Sequence, residues 1–331
     1  QHLTYTRFDE LCFEYAIFSI GVFMNSKVTL LLALLVFSPL NAGEPDVGGQ
    51  LESAVQSKMR DTANRAFSYG DKLFETWARE NISSLRLIEV ETKISKSSKP
   101  QIRLISLFEI SKSDANAVLS QFSFSTFDDR EIFNGGLVYR AFNNDKTIMY
   151  GTNLFYDQQL HTGHKRFSLG FELKSSVYDF NLNLYDATSS IHHVEDVPEV
   201  AAGGYDAEIG IVMPYLPWAK IYYKAYQWNN ETLNIKNGES LSLYMEPTSR
   251  LSFEAGMNNN STLSSKKTFV KLNYILCCAD ESTRPSMFNV SSRAFNYVPL
   301  EEKRIYEKVR RENNIIVVRG GGGISVTASG F

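Results

Sequence analysis

From Lys146 to Leu184 the chain reads KTIMYGTNLFYDQQLHTGHKRFSLGFELKSSVYDFNLNL, three segments in a row whose side chains alternate in character. In the first, Ile148, Tyr150, Thr152, Leu154 and Tyr156 fall on one side, with Gly151, Asn153 and Asp157 on the other. In the second, Phe167, Leu169, Phe171 and Leu173 oppose Arg166, Ser168, Gly170, Glu172 and Lys174; in the third, Phe180, Leu182 and Leu184 oppose Asp179, Asn181 and Asn183. A period of two belongs to strands, because successive side chains of an extended chain point to opposite faces. One face is apolar and the other ionic. A soluble sandwich would alternate in the same way with its apolar face as core, so the length, number and address of the strands must choose.

From Ser84 onward the alternation runs for roughly 200 residues, broken at regular intervals by turn residues. Twelve strands are predicted: Ser84–Ile94, Gln101–Ile110, Asn116–Phe127, Glu131–Phe142, Lys146–Asp157, His164–Lys174, Val177–Asp186, Tyr205–Met213, Ala219–Trp228, Ser240–Glu246, Arg250–Asn258 and Lys267–Leu276. Most match the length of about 9–11 residues that a tilted strand needs to cross hydrocarbon, whereas globular strands usually run to about five or six. An even number of strands, uniform length and short connections describe a closed transmembrane barrel, in which every backbone group is paired and no edge meets lipid. The connections also alternate. Ser111–Ala115, Asn143–Asp145, Ser175–Ser176, Pro214–Trp218 and Pro247–Ser249 are tight turns, while Ala187–Gly204, Asn229–Glu239 and Asn259–Lys266 are longer. Bacterial barrels keep short turns in the periplasm and longer loops outside, so strand one runs outward.

The address agrees with a membrane destination. Met24-Asn-Ser-Lys27 is a short basic start, Val28 to Phe37 is an unbroken apolar run, and Ser38 to Ala42 leads to a small residue before Gly43, which reads as a secretory signal peptide cleaved between Ala42 and Gly43. That run is too short for a spanning helix of roughly 20 residues, and nothing after it reaches that length. Gln1 to Phe23 precede Met24 and are set aside as upstream sequence. The expected organisation is therefore an upstream segment (1–23), a signal peptide (24–42), a periplasmic helical segment (43–83), the barrel (84–276) and a linker with a helix (277–331). Within 43–83, the spacing of Leu51, Val55, Met59, Ala63, Phe67, Leu73 and Trp77 predicts an amphipathic helix at the barrel mouth.

With a net charge of −3 there is no basic excess to suggest nucleic acid. Aromatic residues make up 13 %, with 17 Tyr and 22 Phe, which suits rings placed at membrane interfaces. The inward face follows from the alternation. It carries Glu89, Glu91, Lys93, Arg103, Arg140, Asn153, Arg166, Glu172, Lys174, Asn181, Asp206, Glu208, Lys224, Glu254, Lys271 and Asn273, both signs mixed. Eight strands are filled by their own side chains and 16 to 18 hold open channels, so twelve should leave a polar bore able to house one extended segment or a helix.

After Leu276 the pattern stops. Ala279 to Pro299 is irregular, Leu300 to Asn314 is a charged helix candidate, Ile315 to Val318 is a short apolar strand, and Gly320 to Gly323 is a flexible run. Twelve strands return the chain to the side on which it began, so a C-terminus on the other side has to pass through the bore. Ala279 to Asn314 is expected to do so, with Glu281, Arg284 and Arg293 pairing with the lumen charges.

Other motifs give less. Cys277 and Cys278 are adjacent and form no disulfide framework. His192-His193 with Glu195 and Asp196 does not have the spacing of a tetrahedral metal site and reads as a solvated loop. A Ser and His pair for an esterase could come only from Ser168 with His161 or His164, without a nucleophile motif around them. Gly320 to Gly323 lacks the Lys and Ser or Thr of a phosphate cradle. No enzyme activity and no cofactor are expected.

Three stretches in order carry a resemblance. GTNLFYDQQLHTGHKRFSLGFEL (Gly151–Leu173) resembles the strand-five to strand-six hairpin of the translocator domain of intimin and invasin, the inverse autotransporters of Gram-negative bacteria. GGYDAEIGIVMPYLPWAKIYYKAYQW (Gly203–Trp228) is similar to the eighth and ninth strands of that domain, and RIYEKVRRENNIIVVR (Arg304–Arg319) to the element that follows the barrel. The resemblance covers about Phe74 to Arg319. It implies a twelve-stranded outer-membrane barrel whose linker threads the pore outward and carries an adhesive passenger for cell adhesion, hence protein secretion through the pore. The partners it implies are outer-membrane lipid, the barrel-assembly machinery, periplasmic chaperones and a receptor on a host or neighbouring cell. Two features depart from it: no peptidoglycan-binding module precedes the barrel, and the sequence stops at Phe331, where immunoglobulin-like passenger domains would begin. A passenger-less, porin-like pore is the alternative reading.

Overall fold

The computed structural model describes residues 72–95, 98–127, 130–194, 196–230, 233–260, 266–278 and 289–319. The signal peptide with its Ala42 and Gly43 junction, most of the segment 43–83, Glu281 and Arg284, and Gly320 to Gly323 lie outside the described residues.

The strands are β1 (Leu85–Ser95), β2 (Ser98–Lys112), β3 (Asn116–Phe127), β4 (Arg130–Phe142), β5 (Ile148–Gln159), β6 (Lys165–Ser175), β7 (Tyr178–Ala187), β8 (His192–Val194), β9 (Val197–Ala201), β10 (Gly203–Met213), β11 (Leu216–Asn230), β12 (Leu233–Met245), β13 (Leu251–Asn260), β14 (Lys267–Cys277) and β15 (Val317–Arg319). Twelve of them, β1 to β7 and β10 to β14, form a closed antiparallel barrel in chain order. It closes where β14 pairs with β1, with Val90 opposite Tyr274 and Glu91 opposite Asn273. No edge strand is left in the wall, as lipid requires.

The alternation sets which way each side chain points. Leu169 and Phe171 are 53 % and 42 % exposed on the outside, while Glu172 and Asn181 are 1 % exposed inside. An apolar exterior over a charged interior is the reverse of a protein dissolved in water, and it is stable only where lipid covers the outside. Among the described residues no helix is long and apolar enough to cross a membrane, so the strands make the crossing.

Four expectations need correction. First, β11 and β12 run on through most of the segment expected to be the loop Asn229–Glu239, pairing as far as Trp228 with Lys236 and Asn230 with Leu233. Here Asn237 and Glu239 take the positions that continue the outward parity of Leu241 and Leu243, so the apolar alternation is interrupted and the strand signal with it. Second, the loop between β7 and β10 folds as the hairpin β8–β9, on which β15 adds a third strand.

Third, Leu300 to Asn314 is not a helix. Only Glu302–Tyr306 makes a short 3-10 turn, and the rest is extended. Fourth, the helix over 72–81 turns Ala78 with Phe74 towards Ile82, Leu85 and Cys277, whereas Leu73 and Trp77 of the expected apolar face are exposed. Glu75 ties this helix to the barrel through Arg250 and through the backbone N–H of Cys278. Cys277 and Cys278 are bonded to each other at the end of β14.

The barrel has a turn end, where the five tight turns and the helix lie, and a loop end, where the β8–β9–β15 sheet lies. The chain leaves β14 at the turn end, and β15 stands at the loop end. Residues 301–316 lie between them, inside the barrel.

Candidate functional site in the barrel lumen

The inward residues of the wall close on the tail in three zones. At the turn end, Leu300, Ile305 and Val309 pack among Leu107, Leu119, Val138 and Met149, side chains that share the inward face with the charges. At the loop end, Ile316 and Val318 pack with Tyr185, Tyr226 and Trp228. Between these two apolar collars lies the ionic zone.

Reach explains why the tail is extended. From Glu301 to Ile316 an extended chain covers roughly 50 Å, whereas a helix of the same residues covers about 24 Å, too little to pass a hydrocarbon layer of about 30 Å and both rims. An extended chain without strand partners leaves its backbone groups open, and buried ones need hydrogen bonds. Here the side chains of the wall supply them. Arg140 donates to the carbonyls of Ile305 (2.7 Å) and Glu307, Gln121 accepts from the Val309 N–H (2.9 Å), and Asn183 donates to the Arg310 carbonyl (3.1 Å). Tyr185 accepts from the Glu312 N–H (2.7 Å), Arg166 donates to the Glu312 carbonyl (2.6 Å), Asn134 to that of Asn313 (2.9 Å), and Gln159 to that of Ile315 (3.3 Å).

The side chains of the tail are matched by charge. Between residues 304 and 314 the tail has four cations and two carboxylates. Arg304 pairs with Asp179 (2.9 Å), and Lys308 lies between Glu89 and Glu91 (2.9 Å to the latter). Arg310 pairs with Glu208 and, at 3.3 Å, with Glu254. Arg311 takes both oxygens of Asp157 (2.9 and 2.7 Å) in a fork-to-fork pair. Glu307 faces Lys174 at 3.2 Å.

Two glycines make the stacking possible. A Cβ on Gly136 would come within 2.5 Å of the Phe155 ring, and one on Gly210 within 2.2 Å of Tyr222. Each glycine is the cross-strand partner of its ring, so the ring lies flat on the wall. Arg311 then sits 4.4 Å from the Phe155 ring centre and Arg310 3.8 Å from that of Tyr222, within cation–π range.

Every lumen residue expected from the alternation faces inward. Arg140 and Arg166 are fully buried and hold the tail backbone, each also pairing with a wall carboxylate, Glu172 for the former and Asp157 for the latter. Asn181 donates to Glu208 (3.2 Å), and Asn153 packs against Gly170. Lys224, Glu254 and Lys271 line a polar cavity of about 190 Å³ that remains beside the tail along β1 and β10 to β14. Arg293 requires correction: it is exposed at the turn end, outside the bore. The cations that do enter are Arg304, Lys308, Arg310 and Arg311, which the sequence places on a charged helix candidate within the segment expected to thread the bore.

The esterase pair is not assembled. Ser168 accepts from Arg311 (2.8 Å), while His164 meets Ser189 (3.3 Å) and Glu199 (3.4 Å) at the loop end. His192 stands edge-on to His164, ring centres 4.9 Å apart, and no group of three or more potential metal ligands converges among the described residues.

Residues 37–313 match the family model described as "Inverse autotransporter, beta-domain". No curated protein matches the chain. Among solved structures, a chain from work on the in-meso crystallization of membrane proteins is 18 % identical, with a TM-score of 0.57, covering 71 % of this chain and 100 % of that one. The KdgM porin is 10 % identical with a TM-score of 0.41, covering 56 % and 97 %. Outer membrane phospholipase A from Escherichia coli is 9 % identical with a TM-score of 0.37, covering 58 % and 92 %. Of these three, only the first is similar enough to speak to the fold.

Proposed function

This chain belongs to the inverse autotransporter family through its β-domain, a barrel of the outer membrane, and on that premise we propose that it exports and anchors an adhesive passenger attached beyond its C-terminal tail. In this reading the turn end faces the periplasm and the loop end the outside. The single observation that carries it is the tail, which crosses the lumen and reaches the opposite end of the barrel from the end of β14. A passive pore has no use for seven wall side chains that hold a polypeptide backbone. The hydrolytic chemistry of one structural neighbour is not supported here, since Ser168 is engaged by Arg311.

The proposal is tested by inserting an epitope into Pro214–Trp218 in one variant and after Arg319 in another, and probing intact cells. The tag after Arg319 should be reached by antibody, and the one in Pro214–Trp218 only after the outer membrane is broken. The opposite pattern would invert the topology and end the translocator reading.

A further inference from the structure

Before the tail enters the bore it runs outside it. From Asn289 to Leu300 the chain follows the rim of the turn end across three neighbouring turns, fastened at each. The Trp218 indole donates to the Asn289 carbonyl (3.2 Å), the Ser291 N–H donates to the Tyr215 carbonyl (2.8 Å), and the Tyr215 N–H to the Ala294 carbonyl (3.0 Å). At the next turn the Ser176 hydroxyl donates to the Asn296 carbonyl (2.9 Å) and accepts from the Val298 N–H (3.1 Å). At the third, the Leu300 N–H donates to the Lys146 carbonyl (2.7 Å), and the chain turns inward.

A strap fixed by its backbone to polar turns should offer polar side chains to water. Beside Ser292, Arg293 and Asn296, this one also offers Val290, Phe295, Tyr297 and Val298, between 47 % and 65 % exposed, next to an equally exposed Tyr215. The Tyr297 hydroxyl lies within hydrogen-bonding reach of Tyr178, which has the outward parity of Phe180 and Leu182 on β7. The strap therefore continues the lipid-facing surface of the wall at its rim.

We propose that the strap is an interfacial membrane anchor, with Val290, Phe295, Tyr297 and Val298 lodged at the headgroup and acyl boundary of the leaflet at the turn end. Phospholipid is the occupant because the patch adjoins the lipid-covered wall, and because many of the strap's backbone groups are bonded to the turns, which lowers the cost of leaving water. Tyrosine at this depth keeps its ring in the apolar layer and its hydroxyl at the headgroups, as in the aromatic girdles of barrels. The anchor fixes the point at which the tail turns into the lumen. It depends on the barrel's place in the membrane and not on any passenger.

The test uses the full chain with Phe295→Trp, folded into phosphatidylethanolamine and phosphatidylglycerol vesicles in which some acyl chains carry bromine, either near the headgroup or near the chain end. Emission of the unsubstituted protein supplies the background from Trp77, Trp218 and Trp228. The added emission should be lost more to shallow bromine than to deep bromine, and should be shielded from aqueous iodide. Emission that iodide quenches and neither lipid touches would overturn the anchor. Val298→Trp reads the same depth if the first variant fails to fold, which its electrophoretic mobility before heating reveals.

Discussion

The two halves of the lumen wall hold the same tail in different ways. Strands β3 to β7 reach its backbone: Gln121, Asn134, Arg140, Gln159, Arg166, Asn183 and Tyr185 bond peptide groups and ignore which side chain each residue carries. Strands β1, β10, β13 and β14 are reached only by long side chains, with Lys308 going to Glu89 and Glu91 and Arg310 to Glu208 and Glu254, across the side where the cavity remains. The β3 to β7 half grips the backbone and adds the charge pairs of Asp157, Lys174 and Asp179, while the other half holds the tail by charge alone.

The largest effect should come from removing what both halves hold. Deleting residues 279–331 should raise single-channel conductance in planar bilayers from nearly closed to that of an open twelve-stranded pore; unchanged conductance would place the tail outside the bore in the membrane.

A smaller effect should separate the halves. Asp157→Asn leaves Arg166 and Arg311 facing each other without their carboxylate on the gripping side, where all three are fully buried. Stranding a buried charge of this kind costs about 3–5 kcal/mol. Glu208→Gln leaves Arg310 with Glu254 and with room beside it, and should cost only about 1 kcal/mol. Thermal unfolding in detergent checks both, and equal losses would erase the distinction.

A last effect concerns the β8–β9–β15 sheet, the cap at the loop end. His164 is buried against His192, Ser189 and Glu199, while Glu199 also takes a bidentate pair from Arg130 of β4. Burial first, and then the neighbouring His192, push the His164 pKa down to about 4 from 6.5. The closed cap thus keeps His164 neutral. As the pH falls below 6.5 the opened form binds a proton that the closed form refuses, so closure weakens down to about pH 4 and levels off below it, with a loss of up to roughly 3 kcal/mol. Brief openings in planar bilayers should become more frequent on acidification, and His164→Gln should remove that dependence.

Much of the barrel was legible in the sequence because lipid outside and charge inside force every second residue to declare its side, as Leu169 and Glu172 do. Legibility failed where that constraint ends. Lys236 and Asn237 extend β12 beyond the lipid-facing alternation, and His192 to Ala201 form a hairpin whose partner, Val317 to Arg319, lies more than a hundred residues away. The tail failed for a different reason. Ile305 and Val309 sit at helical spacing, and Arg304, Glu307, Lys308 and Arg311 fit the solvated side of such a helix. The forces that hold it extended come from carboxylates and amides on other strands, and no local pattern records them. The collars were hidden too, since Leu107, Val138 and Met149 lie on an inward face read as uniformly polar.

The short β8–β9–β15 sheet has a mechanical consequence. Val317 pairs with Ala201, which leads at once into the barrel wall, while Arg319 pairs with Glu199 at the far end of the ladder. A pull on the chain beyond Arg319 enters the sheet at one end and leaves through β10 at the other. Tension therefore runs along the strands and loads the rungs together in shear, and they cannot peel one by one. Behind them the forked Asp157–Arg311 pair and the collar at the turn end come under strain only after the sheet has yielded. The tail is thus tethered in series, with the outermost link taking the first tug.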